Sequence, residues 1–242
     1  MDATTVRTGP DKYDGRATAR TFGWFLARLY IFLRNRGKVR VEGYERAVSA
    51  LAEGGVILAA NHPEGSTPFL IPAVFHEKYF DDQRFFLWNM PRQKLVPTRW
   101  LRDRLRCIVV ERGNSMKKAS AVRKAVKVLK EKGNILIFAE GTRTFDEKEP
   151  DAVIIECNGR LMRPVDDTGL PFLAELGDAR ILPVWVRMPG VRRKLRFWAS
   201  IIHLFKKRGR YMTIRFGEPY RVEEPFNIDK ENARLQYKIF HA

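Results

Sequence analysis

Three short apolar runs, Val56 to Asn61 (VILAAN), Asn134 to Gly141 (NILIFAEG) and Ile181 to Val186 (ILPVWV), constrain this chain more than any other feature. Each is continuous rather than alternating, which is the pattern of a strand buried on both faces. Such strands need a helical layer on each side, and helical patterns lie between them. Met116, Ala119, Val122, Val126 and Leu129 share one face of a helix that Asn114 or Ser115 caps and Gly133 stops. Pro68 to Lys78 and Glu45 to Ala52 read as two more helices, while Lys38 to Tyr44, Arg84 to Asn89, Cys107 to Glu111 and an edge-like Tyr211 to Gly217 read as further strands. The alternation predicts an α/β fold, with a largely parallel sheet flanked by helices.

A chain of 242 residues carries one domain with a full core. It divides into an arm with an amphipathic helix over residues 1–37 and the α/β domain over 38–242. The two cysteines, Cys107 and Cys157, belong to no C-x-x-C motif, so no metal site is expected and the thiols read as reduced, on the cytosolic side. MDATTVRTGPDKYDGR has no apolar core, so no signal peptide is expected. The longest run without Asp, Glu, Lys or Arg is Gly65 to His76, short of the ~20 apolar residues of a spanning helix.

Forty-five Lys and Arg against 28 Asp and Glu leave a net charge of +17, which calls for an anionic partner. The charge is concentrated. Seven cations and no acid lie between Gly15 and Val41, around Phe22, Trp24, Phe25, Leu26, Leu29, Tyr30, Phe32 and Leu33. Eleven cations and no acid lie between Ala179 and Gly217, where Leu195, Trp198, Ile201, Ile202 and Phe205 recur at helical spacing. Cations interleaved with large apolar side chains suit an anionic membrane surface, with Trp24, Phe25, Leu29, Phe197, Trp198, Ile202 and Phe205 as contacts. The alternative is that both helices cover the domain's own core. No nucleic-acid-binding signature is present, and nucleic acid is not expected as a partner.

In open α/β sheets, chemistry gathers where strands end. Three polar clusters follow strands here: Asn61-His62-Pro63-Glu64-Gly65-Ser66-Thr67, Glu111-Arg112-Gly113-Asn114 and Glu140-Gly141-Thr142-Arg143-Thr144. His62 is a candidate base, and Arg112 and Arg143 are planar donors suited to phosphate. Pairing of those arginines with Glu111 and Glu140 in solvated salt bridges is the other reading.

GGVILAANHPEGSTP, CIVVERGN, ILIFAEGTRT and ILPVWV, in that order, resemble the four sequence blocks of the glycerolipid acyltransferases, the family of 1-acylglycerol-3-phosphate acyltransferase. The resemblance runs from about Lys38 to Gly217. It implies transfer of a fatty acyl group from a coenzyme A or acyl carrier protein thioester to a lysophospholipid hydroxyl, in phospholipid biosynthesis, by a protein peripheral to the cytoplasmic face of a membrane. No cofactor beyond the acyl donor is implied. His62 would be the general base, acting with an unshifted imidazole. Asn61, Arg112, Gly113, Glu140, Gly141, Thr142 and Arg143 would form the acceptor pocket, and Pro183 the donor side. Where the family carries aspartate five residues after the histidine, this chain has Thr67. Glu64 is the nearest carboxylate and is its candidate replacement; the other reading of Thr67 is a relative that binds lipid or acyl thioester without turnover.

Overall fold

The computed structural model describes residues 16–78, 82–91, 106–110, 115–141, 143–145, 153–165, 169–191, 195–206 and 209–242, with side chains of the first helix described from residue 23 onward. In chain order the elements are α1 (Arg16–Asn35), β1 (Val39–Glu42), α2 (Tyr44–Glu53), β2 (Val56–Ala60), α3 (Thr67–Ala73), a 3₁₀ turn (Gln83–Phe85), β3 (Trp88–Asn89), α4 (Ser115–Lys130), β4 (Ile135–Phe138), β5 (Ile155–Cys157), β6 (Arg160–Met162), α5 (Leu170–Leu176), β7 (Arg180–Arg187), α6 (Phe197–Phe205), β8 (Met212–Phe216) and α7 (Ile228–Phe240). Six strands form one sheet in the order β1-β8-β7-β2-β4-β3, and β5 and β6 form a separate hairpin.

Every pair in the large sheet is parallel except β7 with β8. The largely parallel α/β sheet expected from the sequence is therefore present. The strand period of two splits the side chains of the central strand β2 between two cores. Val56, Leu58 and Ala60 face a layer built from α1, α2, α3 and α6; Ile57 and Ala59 face a layer built from α4, α5 and α7. All five residues of β2 are fully buried, which is why this segment reads as an unbroken apolar run.

The structure revises four elements. Tyr211 to Gly217 does not lie at an edge, because β8 sits between β1 and β7; its alternation comes from partly buried Thr213 and Arg215. Cys107 to Glu111 is no strand among its described residues, since Cys107 makes one parallel bridge to Asn89. Arg84 to Asn89 shortens to the two-residue β3 because Asp82 caps a 3₁₀ turn, its carboxylate accepting from the Arg84 N–H at 2.9 Å. The helix expected over Pro68 to Lys78 ends at Ala73. Pro72 inside it has no N–H to donate, and beyond it the chain tightens into turns in which Phe75, His76 and Lys78 donate to Pro72, Ala73 and Phe75.

Asn134 ties this frame together before β4. Its Oδ1 accepts from the Val56 N–H at 3.0 Å, and its Nδ2 donates to the carbonyls of Leu51 (3.0 Å) and Arg84 (2.8 Å). Near the other end of the frame, Gly65 admits the backbone leading into α6. A Cβ at Gly65 would stand 2.6 Å from the Leu195 carbonyl oxygen and 3.0 Å from the Phe197 nitrogen, neither able to yield as a side-chain tip would. Gly65→Ala is therefore expected to cost about 1–3 kcal/mol through overpacking. The measurement is urea unfolding, where the midpoint should fall at unchanged slope; an unshifted midpoint would show that this contact is not tight.

Candidate active site

The site begins at the end of β2. Asn61 is buried, and its side-chain amide extends the β2–β7 ladder by one step: Nδ2 donates to the Val186 carbonyl at 2.9 Å and Oδ1 accepts from the Val186 N–H at 2.6 Å. An asparagine there pins the strand end that carries His62. Expected in the acceptor pocket, Asn61 instead spends its amide on the backbone.

His62 leaves the sheet on the side of the first core, where its ring stacks on Phe138 at 4.1 Å between centroids. Its backbone is fixed in both directions. The His62 N–H donates to Glu140 Oε1 at 2.6 Å, and the His62 carbonyl accepts from the Thr144 N–H at 3.0 Å. Ring Nδ1 is buried and has no hydrogen-bond partner among the described residues. Burial first, and then the positive charge of Arg143, lower the imidazole pKa from 6.5 to about 3. The expectation of an unshifted imidazole is thus corrected: His62 is held neutral by a dry and electropositive setting.

Glu140 is the second buried polar centre. Its Oε1 also accepts from Thr144 Oγ1 at 2.9 Å, and its Oε2 accepts from the Arg163 N–H at 2.8 Å. Burial raises its pKa from 4.5 to about 7, against the lowering effect of these donors and of the Arg163 charge. Glu140 is thus enclosed by His62, Thr144 and Arg163, and the solvated Arg143–Glu140 pair read as an alternative is not the arrangement found. It braces the pocket; its carboxylate does not reach for an acceptor's phosphate, with which it would share a sign. Gly141 follows at φ 62, a left-handed conformation that glycine adopts at no steric cost, and its N–H closes a turn on Phe138. Arg143 lies beyond that turn, half-buried and close enough to act on His62.

The first loop supplies the other carboxylate. Glu64 is fully buried, accepting from the Ser66 N–H at 2.5 Å and from Thr67 Oγ1 at 2.6 Å. Thr67 therefore donates to Glu64. Pro183 is buried inside β7, in register with Ala59, where its carbonyl accepts from the Gly217 N–H. Arg112, Gly113 and Thr142 lie outside the described residues. No group of three or more His, Cys, Asp or Glu among the described residues could hold a metal ion.

Of the residues expected at a membrane, Trp24, Phe25, Trp198, Ile202 and Phe205 are exposed. Leu29 and Phe197 are not: both pack against the first core, Phe197 edge-on to Phe69 of α3 at 5.2 Å. Phe32 and Ile31 join the exposed set, and the Phe32 and Phe205 rings, 6.1 Å apart, connect α1 to α6. Each helix covers the core with one face, as the second reading of them has it, and leaves an aromatic face outward. No helix among the described residues is long and apolar enough to cross a membrane.

A family model described as Acyltransferase matches residues 38–187. The chain belongs to the acyltransferase family. Among solved structures it is similar to the 1-acyl-sn-glycerophosphate (LPA) acyltransferase PlsC from Thermotoga maritima, at 14% identity and a TM-score of 0.57, covering 97% of this chain and 82% of that one. None of the curated proteins matches the chain. The resemblance of the four blocks to glycerolipid acyltransferases is accompanied by a matching family and a matching fold.

Thr67→Val tests the Glu64 pair. The substitution leaves a buried carboxylate oxygen without its donor, at a cost of about 1–3 kcal/mol. Thermal unfolding should show the loss, whereas Thr67→Ser should keep most of the stability; equal losses in both would assign the effect to packing. Thr67→Asp sets a second carboxylate against Glu64, and one of the two then holds a proton in the folded state well above its unfolded pKa. Its stability deficit should be small near pH 5 and grow as pH rises toward 8.

Proposed function

We propose that this acyltransferase transfers a fatty acyl group from the thioester of coenzyme A or acyl carrier protein to the free hydroxyl of a lysophospholipid, with 1-acylglycerol 3-phosphate as the best-fitting acceptor, in phospholipid biosynthesis. The observation that carries this reading is the meeting of His62 and Arg143, from two separate sequence blocks, at the carboxyl ends of β2 and β4, so that a base stands beside a guanidinium. His62 takes the proton of the acceptor hydroxyl, the alkoxide adds to the thioester carbonyl, and the carbon–sulfur bond breaks as the thiolate leaves with that proton. No acyl-enzyme is needed.

Arg143 binds the acceptor phosphate in this reading, with Arg112, Gly113 and Thr142 completing the pocket and Pro183 bordering the donor side. A neutral imidazole with a pKa near 3 is a weak base. A phosphate dianion seated on Arg143 offsets the charge that helps hold it there, so acceptor binding itself raises the basicity of His62. Glu64, locked to Thr67, supplies a negative charge in the same loop where the family carries aspartate. A second reading, a relative that binds lipid or acyl thioester without turnover, is favoured by one observation: the carboxylate oxygens of Glu64 and Glu140 accept from other donors and not from the His62 ring.

Thioester release from long-chain acyl-coenzyme A, measured with and without 1-acylglycerol 3-phosphate, separates the two. Acceptor-dependent release that His62→Ala abolishes supports the enzyme. Arg143→Ala should then raise the acceptor KM by about tenfold or more, the loss of a charge-assisted contact of about 1.5–3 kcal/mol, while the donor KM holds. Wild-type protein that binds the lipid and releases no thiol is the second reading.

The protein works, in this proposal, as a peripheral protein on an anionic membrane surface at the cytoplasmic face, meeting it with the outward aromatic faces of α1 and α6. Cations flank those faces, with Arg28 over Trp24, Arg36 over Phe32 and Lys38 over Phe205. Trp198→Asp with Phe32→Asp should weaken sedimentation with anionic vesicles by about tenfold or more, each burying an unpaired charge in the headgroup layer. Wild-type binding should fall as salt rises. Unchanged sedimentation of the double variant would move the contact elsewhere on the molecule.

A further inference from the structure

Arg163 belongs to none of the four blocks. It directly follows β6, the second strand of the hairpin that lies between the third block and α5, and the residue is buried at 7% exposure. Arginine is seldom taken out of water unless its donors are used. Here Nε donates to the Thr144 carbonyl at 3.1 Å, while the backbone N–H of the same residue donates to Glu140 Oε2 at 2.8 Å. Thr144 in turn donates its Oγ1 to Glu140 and its N–H to the His62 carbonyl, and Glu140 accepts from the His62 N–H. The result is a closed circuit in which one buried arginine holds, at two points, the loop bearing Arg143 and the carboxylate bearing on His62.

We propose that Arg163 is a positioning residue for acyl transfer, which sets His62 and the Arg143 loop in register by bracing Glu140 and Thr144 from the β5–β6 hairpin. The inference rests on the acyl-transfer reading for its kinetic consequence and on geometry alone for its structural one. Three features separate this role from general packing. The side chain bonds the backbone carbonyl of Thr144, which lies next to Arg143. Its charge acts on Glu140, the acceptor of the His62 N–H. The groups that meet Glu140 among the described residues come from three elements: His62 after β2, Thr144 after β4 and Arg163 after β6, of which Arg163 alone carries a fixed charge.

The sign of the electrostatic effect is fixed. The Arg163 charge favours ionised Glu140, so removing it raises the carboxyl pKa above about 7 and shifts ionisation to higher pH. At neutral pH more of the His62 N–H groups would then face a protonated acid. Arg163→Lys keeps a charge on a shorter and rounder donor, and Arg163→Met keeps volume without charge.

The test has two independent readouts on the full chain. The first is the pH titration of the His62 backbone amide by ¹⁵N–¹H NMR, which reports Glu140 through their hydrogen bond and needs no turnover. Arg163→Met should move the midpoint upward by half a pH unit or more, and Arg163→Lys should leave it near the wild-type value. The second is steady-state transfer to 1-acylglycerol 3-phosphate. Arg163→Met should lower kcat tenfold or more and move the acid limb of kcat/KM upward, with Arg163→Lys recovering most of kcat. Should Arg163→Met fail to fold, Thr144→Val, which removes the Oγ1 donor and leaves the arginine, should shift the same amide midpoint upward. An unmoved midpoint in folded variants, or a kcat within twofold of wild type in Arg163→Met, overturns the proposal. If the wild type has no transfer activity, the acyl-transfer reading fails while the amide titration still decides whether Arg163 governs Glu140.

Discussion

A carboxylate removed from water costs several kcal/mol unless its oxygens are filled, and Glu140 fills its own with three donors drawn from three parts of the chain. None of these donors is replaceable by solvent, because the group is buried. The chain ends of β2, β4 and β6 therefore converge on one point and are held there together. Strand pairing brings β2 and β4 side by side, with Ala60 opposite Phe138, but pairing stops at those residues. Beyond them it is the Glu140 circuit that decides where the histidine loop and the Arg143 loop go. Asn61 does the same work toward β7 with its own amide.

The electrostatics of the site follow from that construction. Glu140 is turned inward to its donors and Glu64 to Ser66 and Thr67, so the two carboxylates nearest His62 in the blocks are both engaged. Burial and the Arg143 charge oppose protonation of the imidazole and outweigh the Glu64 backbone, which favours it. A site of this kind sets a neutral base near a fixed positive charge. It gains most from a ligand that brings negative charge, because the same anion satisfies the guanidinium and relieves the base.

Much of this architecture is legible in the sequence where a period or a fully apolar run speaks. The strands β2, β4 and β7 are buried on both faces, and their runs stand out because every position must be apolar. The histidine, the arginine and the two flanking loops stand out because they follow those runs. Legibility fails where structure depends on partners far along the chain. That β8 lies inside the sheet is decided by its antiparallel pairing with β7. Asn61 reads as a pocket residue because its partner, Val186, is 125 positions away. Arg163 gives no local signal at all: one arginine in a basic chain looks like any other until its bonds to Thr144 and Glu140 are seen.

The side of the sheet on which these parts lie has a consequence for how a lipid could reach them. Val56, Leu58 and Ala60 face the layer containing α1, α3 and α6, and His62, next in the alternation, stacks on Phe138 at the border of that layer. The outward aromatic faces of α1 and α6 belong to the same layer, joined through Phe32 and Phe205. At its start, α6 rests on the histidine loop, where Gly65 gives it room and Phe69 meets Phe197. A helix whose one end touches the histidine loop and whose outer face is aromatic links surface and site mechanically, over a single element. The opposite layer is built on α4, α5 and α7, and the outer face of α4 is strongly basic, with Met116 exposed beside its cations. On the first side, an acyl chain would meet the outward aromatic faces of α1 and α6, and a phosphate the Arg143 guanidinium near His62.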